Sequence, residues 1–512
     1  MIKWWPLCSP FFSPTSVGFP TFKVDGVDEE IFMFPDPPHI LKNQRNALFN
    51  HGKFTIPDEL VKEHCLPSNT VEFKFIKKLV ELQEEKQLKI APHLSSDDIN
   101  IGRFNKMKVK PAMHVFSRET AEAIKFAASH YPDIFPQEAM TTAFFCDMIG
   151  QYYDHMTCRN LGLALSLKQP EKLQEAFTKM QGFMNFYSSL FIGKSHRGGL
   201  LPTQRGVLMS TISMIQLTNF MLSQKGIKYF RPGLVSNDPI ENFHSCVRAR
   251  NAKPTCLNFM RIVKGICMVQ CLDGSVHGSY ERDDENASVL HDLKALKAEK
   301  AAREAEDVVN LDQVMTENDA ADGVIAEDEE FINMLYPKLD IDDQVDIEDI
   351  SEINGLAYLS GYMLRSTICN QSKCDECQKA FVAAETDDQS CNELIRLREY
   401  KKGALCKPTK LANDMLQLAE KVFRCEQERL KWQKKVRLAD KITSKLELHW
   451  RSSFPMVPKC HIKTIAARFA KIRLQFFGAF TSRQLVIKQK KKLKGQSNAS
   501  KSTVPLFAPN MQ

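Results

Sequence analysis

Along most of the chain, apolar residues recur every three or four positions, the spacing that turns one face of a helix into a core. That spacing predicts helices over residues 71–86, 117–130, 137–152, 170–192 and 204–224. No unit of about 20–50 residues repeats through them. Ahead of them, Glu30-Ile-Phe-Met-Phe34 is a short apolar run closed by Pro35 and reads as a buried strand. Residues Ile40–Leu48 then read as a helix. Further on, Asn237-Asp-Pro-Ile-Glu241 carries the signature of a helix start running to about Arg250. Asp238 is placed as N-cap, Pro239 as first helical residue and Glu241 as third, which makes a capping box. Residues 290–308 read as a charged helix and 410–449 as a long one. Ile462, Ile465, Phe469, Ile472 and Phe476 are spaced 3, 4, 3, 4 and predict a helix burying one stripe, with Lys463, Arg468, Lys471 and Arg473 lying off it.

Charge divides the chain more sharply than its totals suggest. The 512 residues carry 69 Lys+Arg and 62 Asp+Glu, a net of +7. Residues 301–350, however, hold 17 acids and two bases, and residues 401–512 hold 26 bases and six acids. An asymmetry of this size points to a linker or acidic surface in the first segment and to phosphate contacts in the second. The run Lys488-Gln-Lys-Lys-Lys-Leu-Lys494 fits a nuclear localisation patch, so nuclear residence is expected. With 43% hydrophobic residues the chain can bury sizeable cores, which excludes a wholly disordered protein. The most apolar stretch, Leu208 to Leu222, is broken by Ser, Thr, Gln and Asn, and no membrane span or signal peptide is expected. Fifteen cysteines, an odd number scattered over a long chain, suit reduced thiols.

Asp36 and Glu241 are the acids best placed for catalysis. Each sits at the edge of a regular element, and Asp36 follows a strand, where open α/β sheets put their chemistry. Two-metal phosphoryl transfer needs such carboxylates gathered around Mg²⁺. The plainer alternatives are a turn residue for Asp36 and a helix-capping acid for Glu241. His39 either orients Asp36 or simply opens a helix. Ser245 and Arg248 share the face of Glu241, where Arg248 would hold a phosphate or pair with a carboxylate. Cys374-Asp-Glu-Cys377 supplies half of a zinc site, with Cys369, Cys391 and Cys406 nearby; the alternative is a set of structural thiols. Cys267 and Cys271 read as core residues. No Walker A and no Gly-x-Gly-x-x-Gly pattern is present.

Several blocks, in order, resemble the P-element family of DNA transposases and their THAP-linked vertebrate relatives. Phe34-Pro-Asp-Pro-Pro-His-Ile-Leu-Lys-Asn-Gln-Arg-Asn46 is similar to that family's Asp-x-x-His block, and Lys106-Met-Lys-Val-Lys-Pro-Ala-Met-His-Val-Phe-Ser117 to a block of its GTP-binding insertion domain. Leu201-Pro-Thr-Gln-Arg-Gly206 and Leu234 through Arg248 resemble the stretch ending in the catalytic Glu. Tyr358-Leu-Ser-Gly-Tyr362 with the Cys pair resembles the C-terminal module. The resemblance covers roughly residues 30–480.

The resemblance implies an α/β, RNase H-like catalytic domain split by a largely helical GTP-binding insertion, followed by a helical, basic C-terminal region. The implied boundaries are 1–48 for a partial RNase H-like segment, 49–228 for the insertion, 229–280 for the segment with Glu241, 281–353 for an acidic linker and 354–512 for the C-terminal region. A split domain accounts for the 205 residues between Asp36 and Glu241, too many for one βα connection. By resemblance Asp36 and Glu241 are Mg²⁺ ligands. Lys108, Val109, Ser117 and Asp238 are contacts of the GTP site, and Asp154 reads the guanine base, for which a carboxylate accepts both N–H donors of its edge. Two departures stand out. The family's first catalytic Asp and its THAP finger have no counterpart in the 35 residues before Asp36, which predicts a truncated and inactive copy. Where the family has Asn after the guanine-reading Asp, this chain has Thr157. For an intact copy the expected function is Mg²⁺-dependent cleavage and strand transfer at transposon ends by a homo-oligomer on DNA, with GTP as cofactor. The alternatives are a non-catalytic nuclear protein that binds DNA or transposase subunits, and a GTP-organised scaffold.

Overall fold

The computed structural model describes residues 21–22, 31–33, 35–102, 105–193, 199–276, 347–383, 390–430 and 438–478. The predicted helix at 290–308, most of the acidic segment, residues Glu30 and Phe34, and the basic run 488–494 lie outside them. The described residues divide into two compact units, one formed by Met1–Gly233 with Lys338–Gln512, the other by Leu234–Pro337. The chain is mostly helical. Its described strands form small antiparallel sheets, so the α/β expectation is met only in part.

Strands β1 (Thr21–Phe22) and β2 (Ile31–Phe32) pair, with Phe22 opposite Ile31. Helix α1 follows as Pro37–His51, starting three residues earlier than its apolar pattern indicated. Pro37 and Pro38 explain the early start: a first turn needs no N–H from them, and their fixed φ suits it. Gly52, at φ +75°, ends α1 and donates its N–H to the Leu48 carbonyl at 2.9 Å. Strand β3 (Lys53–Thr55), helix α2 (Asp58–Glu63), strand β4 (Thr70–Glu72) and helix α3 (Phe73–Glu84) come next. They are followed by α4 (Ser96–Ile99), α5 (Lys110–Val115), α6 (Arg118–His130), α7 (Ala139–Met156) and α8 (Pro170–Ser189).

The predicted helix over 170–192 stops at Ser189, and Phe191–Ile192 form β5, which pairs with β3 to give the sheet order β4-β3-β5. The cause lies in helix α9 (Pro202–Asn219). Its buried Gln204 turns Nε2 onto the carbonyls of Tyr187, Ser188 and Leu190, at 3.1, 3.2 and 2.9 Å. Those carbonyls would be orphaned at a helix end. Helix α9 itself passes into a π-helical turn, Phe220–Gln224. By length and composition Pro202–Gln224 is long and apolar enough to cross a membrane. Its side chains serve a protein core instead. Val207 and Met214 are buried, Ser210 donates to the Pro35 carbonyl at 2.6 Å, and Ser213 donates to that of Met33 at 2.7 Å. Around the sheet, Phe54, Phe145, Phe183 and Tyr187 build an aromatic cluster in which Phe183 stacks on Tyr187 at 5.5 Å.

The second unit contains α10 (Asp238–Arg250) and α11 (Cys256–Val276). Val247 and Ile266 are buried among its described residues, with Phe243 and Phe259 packed against them. Cys267, read as core, is exposed, and the side chain of Cys271 lies outside the described residues.

The C-terminal part of the first unit holds α12 (Ile350–Leu364), α13 (Asp375–Phe381), α14 (Glu393–Arg398), α15 (Lys410–Leu430), α16 (Leu438–Ser453) and α17 (462–478). The helix expected over 410–449 is thus two helices. They share a core through Trp450, whose indole N–H donates to the Met415 carbonyl at 2.7 Å. Helix α17 buries Ile462, Ile465 and Phe469 as its spacing predicts, but Phe476 is exposed. Arg473, which the pattern placed off the stripe, is 1% exposed and forms two 2.6 Å bonds to the fully buried carboxylate of Glu420. Gly361 lets the Cys406 carbonyl lie directly against α12, where a Cβ would overlap it.

This C-terminal core closes onto the end of α3 and the loop after it. Leu88 belongs to the same apolar cluster as Leu356, Met415 and Phe469. Glu352 accepts the N–H groups of Gln87 and Leu88, both at 3.2 Å, and Arg398 donates to the Ile90 carbonyl. Asp349 caps α12, and Lys86 and Tyr131 donate to it at 2.7 and 3.0 Å. Burial alone would push the Asp349 carboxyl up, but Lys86, Ser351 and Tyr131 outweigh it and hold the group at about 2. In the unfolded chain an aspartate titrates near about 3.9. As pH falls the unfolded state therefore takes up the proton first, and the contribution of Asp349, complete above about pH 4, is lost toward pH 2. Asp349→Asn is expected to flatten the acid limb of a melting-temperature-versus-pH curve over that window.

Candidate functional site

Asp36 stands at the N-cap position of α1 with extended backbone (φ −62°, ψ 120°) and is 8% exposed. Its carbonyl accepts the N–H groups of His39 and Ile40, at 3.1 and 3.2 Å. Its carboxylate Oδ2 lies 2.6 Å from His39 Nδ1, so His39 does orient it. Ser210 and Ser213 of α9 hold the backbone just before Asp36. Nearby, burial first, then the charges of Tyr152, Tyr187 and Asp36, raise the Tyr153 hydroxyl well above its ordinary value. That hydroxyl therefore stays protonated and donates to Gln44 Oε1 at 2.9 Å.

Helix α1 also braces the loop that carries Lys108 and Val109. The buried Arg45 donates to the Asn105 carbonyl at 2.7 Å, and Asn46 to that of Lys106 at 3.2 Å. Lys108 is exposed, and Val109 opens α5, its carbonyl accepting the N–H groups of Ala112 and Met113. Ser117 caps α6. Its hydroxyl accepts from the Thr120 N–H at 3.1 Å and donates to the His114 carbonyl at 3.2 Å. Gly150 of α7 lies against the turn at Phe116–Arg118, and a Cβ there would sit 3.0 Å from Arg118 Cγ. Asp154 lies one turn further along α7. Desolvation by its packed surroundings pushes the Asp154 carboxyl up, against the pull of Arg118. The structure therefore packs the helix that carries Asp154 against the turn that Ser117 caps, and joins the Lys108–Val109 loop to the helix that Asp36 opens.

Asp238 and Glu241 belong to the other unit. Helix α10 begins at Asp238 itself, with Asn237 in the N-cap position and in αR backbone, so the predicted capping box does not form. A cap needs extended backbone for its side chain to reach the N3 amide. Asp238 instead fills the first turn, where an acid favours the helix dipole. Glu241 is exposed, and its carbonyl accepts the Ser245 hydroxyl at 2.8 Å. Arg248 is exposed too.

The Cys pair gains partners from a distant segment. Cys374 is the N-cap of α13, and Cys377 is fully buried one turn on. Cys460 and His461, directly before α17, meet them, with Cys460 Sγ 3.8 Å from Cys374 Sγ and 3.2 Å from Cys377 Sγ. His461 Nδ1 is 3.4 Å from Cys377 Sγ. A Cys/His cluster of this make-up can bind a metal. The three cysteines that sequence proximity suggested are not in it. Cys391 accepts from the Asn413 amide at 3.0 Å, and Cys406, whose thiol burial and then Cys369 push up to about 12, pairs with Cys369. Cys460 and His461 escaped the sequence reading because they lie 83 and 84 residues beyond Cys377. The adjacent Cys-His pair at the mouth of a helix was the available signal.

Residues 38–170 match the family described as TNP-like, GTP-binding insertion domain, and residues 347–477 match the family of the C-terminal domain of DNA transposase THAP9. A curated relative, the transposable element P transposase of Drosophila melanogaster, is 24% identical over 234 residues, 45% of this chain. The chain belongs to the P-element-like transposase family. The aligned part spans 29% of that relative's length. A solved structure, the Drosophila P element transposase strand transfer complex, is similar at 22% identity and a TM-score of 0.40, covering 48% of this chain and 53% of the other. Within this member of the P-element-like family, the first family match contains Lys108, Val109, Ser117 and Asp154. The second contains the Cys/His cluster and the helices that close onto Gln87 and Leu88.

Proposed function

We propose that the chain acts in DNA transposition, cutting and joining DNA strands at transposon ends with Mg²⁺, and with GTP as cofactor. The observation that carries this reading is the presence, in one chain and in family order, of the GTP-binding insertion match and the C-terminal match, with the His39-oriented Asp36 just ahead of the first. Asp36 and the segment 229–280 with Glu241 are assigned to an RNase H-like catalytic domain. Carboxylate oxygens suit a hard divalent ion, so Asp36 and Glu241 are its assigned ligands. Bound there, Mg²⁺ would stabilise charge on the attacking and leaving oxygens. Asp36 is buried and already fixed by His39, which favours a preset ligand, whereas Glu241 is exposed on a first helical turn. For GTP, the exposed Lys108 offers a phosphate partner and Asp154 a paired acceptor for the guanine edge. The Ser117 hydroxyl, engaged in capping α6, orients that turn. DNA contact through the basic C-terminal residues, homo-oligomeric assembly and nuclear residence complete the proposal.

The test is a plasmid carrying the DNA that flanks this coding segment, incubated with the purified chain, Mg²⁺ and GTP. Strand cleavage by the wild type that disappears in Asp36→Asn and Glu241→Gln is the expected result. A wild-type chain that binds the DNA with steep salt dependence but never cuts it would overturn catalysis and establish the second reading, a non-catalytic DNA-binding protein. That reading has an observation of its own, since residues 401–512 hold 26 bases and six acids. GTP titration against Asp154→Ala completes the test; equal affinity would remove Asp154 from the site.

A further inference from the structure

We infer that Cys374, Cys377, Cys460 and His461 form a closed, four-ligand structural zinc site that clamps α17 to α13. Four facts carry this. First, the donor atoms are already gathered. All four lie within 4.8 Å of one another, one per residue. Second, the spacings fit a tetrahedron. Zn–S bonds near 2.3 Å and Zn–N bonds near 2.0–2.1 Å place tetrahedral S···S pairs at about 3.8 Å and S···N pairs at about 3.5 Å. The separations are 3.8 and 3.2 Å between sulfurs and 3.4 Å between Cys377 Sγ and His461 Nδ1. Third, three thiolates and an imidazole are soft and borderline donors, which select zinc over Mg²⁺ or Ca²⁺. Four protein ligands leave no open position, the mark of a structural rather than a catalytic zinc.

Fourth, the surrounding backbone presents the ligands. Lys373 takes the left-handed conformation (φ +48°), which ends the π-helical segment Arg365–Ser372 and turns Cys374 toward the cluster. The Cys374 carbonyl accepts the Gln378 N–H at 2.9 Å, so the two cysteines sit on a formed first turn of α13. On the other side, the His461 carbonyl accepts the Ile465 N–H at 3.0 Å, and Cys460-His461 thus open α17 as one rigid piece. No disulfide joins any two of the described cysteines, and the thiols are available as ligands.

The clamp has a mechanical purpose. Joining Cys377 to Cys460 closes a loop of 83 residues, a large restriction on the unfolded chain. It also fixes the start of the helix whose Arg473 reaches Glu420 and Gln87. Metal binding at one end of α17 is therefore coupled to closure of the C-terminal core on the end of α3. None of its four ligands is among the residues assigned to Mg²⁺ or GTP, and its existence does not depend on cleavage activity.

The experiment uses the full chain, purified without added metal and analysed for metal content by mass spectrometry. One zinc per chain is expected, falling well below half occupancy in Cys377→Ser and Cys460→Ser and unchanged in Cys391→Ser. Should the serine variants fail to fold, His461→Cys keeps the test open, because a four-cysteine set retains the metal. Replacing zinc by Co²⁺ is then expected to give tetrahedral Co²⁺ absorption with thiolate charge transfer, altered in His461→Cys. Chelation is expected to raise amide exchange in residues 462–478. A chain without stoichiometric metal, a different metal such as iron, a Cys377–Cys460 disulfide in the intact protein, or zinc retained in both serine variants would each overturn the assignment.

Discussion

Glu420→Ala is expected to destabilise the C-terminal core by about 3–5 kcal/mol, the cost of stranding a buried charge. The Glu420 side chain is fully buried and takes both guanidinium bonds of Arg473, which is itself 1% exposed. It also accepts from Arg424 at 3.0 Å, and Arg424 bonds on to Glu352 at 2.9 Å. Without Glu420, Arg473 keeps the neutral Gln87 Oε1 at 3.2 Å and the face of the Phe423 ring at 4.9 Å, neither of them a counter-charge. Arg424 still has Glu352, so most of the penalty falls on Arg473. The control is Glu420→Leu with Arg473→Met, which removes both charges and preserves volume. That double variant is expected to lie close to the wild type, as buried pairs replaced by apolar residues often do. Thermal melts of the three chains check it. A loss below about 1 kcal/mol in Glu420→Ala would mean that the pair behaves like a surface ion pair.

Trp450→Ala is expected to cost a similar amount, about 3–5 kcal/mol, through the cavity it opens. Trp450 is 0% exposed and belongs to the cluster that joins α12, α15, α16, α17 and Leu88. Truncation also removes the indole N–H that donates to the Met415 carbonyl at 2.7 Å as a second donor beside that carbonyl's own helical one. Trp450→Phe separates the two contributions, since it fills most of the volume but loses the indole hydrogen bond, at about 0.5–1.5 kcal/mol. Hydrogen exchange over residues 410–478 is the informative readout. Protection should fall across all three helices in Trp450→Ala, and protection lost only next to residue 450 would refute a shared core.

How far the sequence revealed this depends on where each cause lies. Helices whose signal is local were readable: apolar spacing predicted 117–130, and α6 runs Arg118–His130. The end of α8 was not, because Ser189 stops under the control of Gln204, on another helix. The α17 stripe was readable at Ile462, Ile465 and Phe469. Arg473 was misplaced because a charged residue is buried only where a partner waits, and Glu420 stands 53 residues away. The capping box at Asp238 failed for the opposite reason. The residue types were right, but the helix starts at Asp238, and a cap must lie one position outside. Asp36 with His39 was legible as a local pair, and the structure supplies their bond. The Cys374–Cys377 pair was legible as half a site, whereas its second half is a matter of tertiary folding. The assignments of Lys108, Val109, Ser117 and Asp154 came from resemblance, since no periodicity distinguishes a guanine-reading acid from any other exposed aspartate.

The bond from Lys86 to Asp349 spans 263 residues of sequence. On a ribosome adding about 5–20 residues per second, the segment that covers Gln87 and Leu88 emerges roughly 13–53 s after they do. During that interval the nascent insertion domain carries an apolar edge with no lid. The second unit, encoded between the two halves, is made in full while that edge waits. Completion of the first unit thus waits for the synthesis of its second half, and loss of the C-terminal helices would leave Leu88 uncovered.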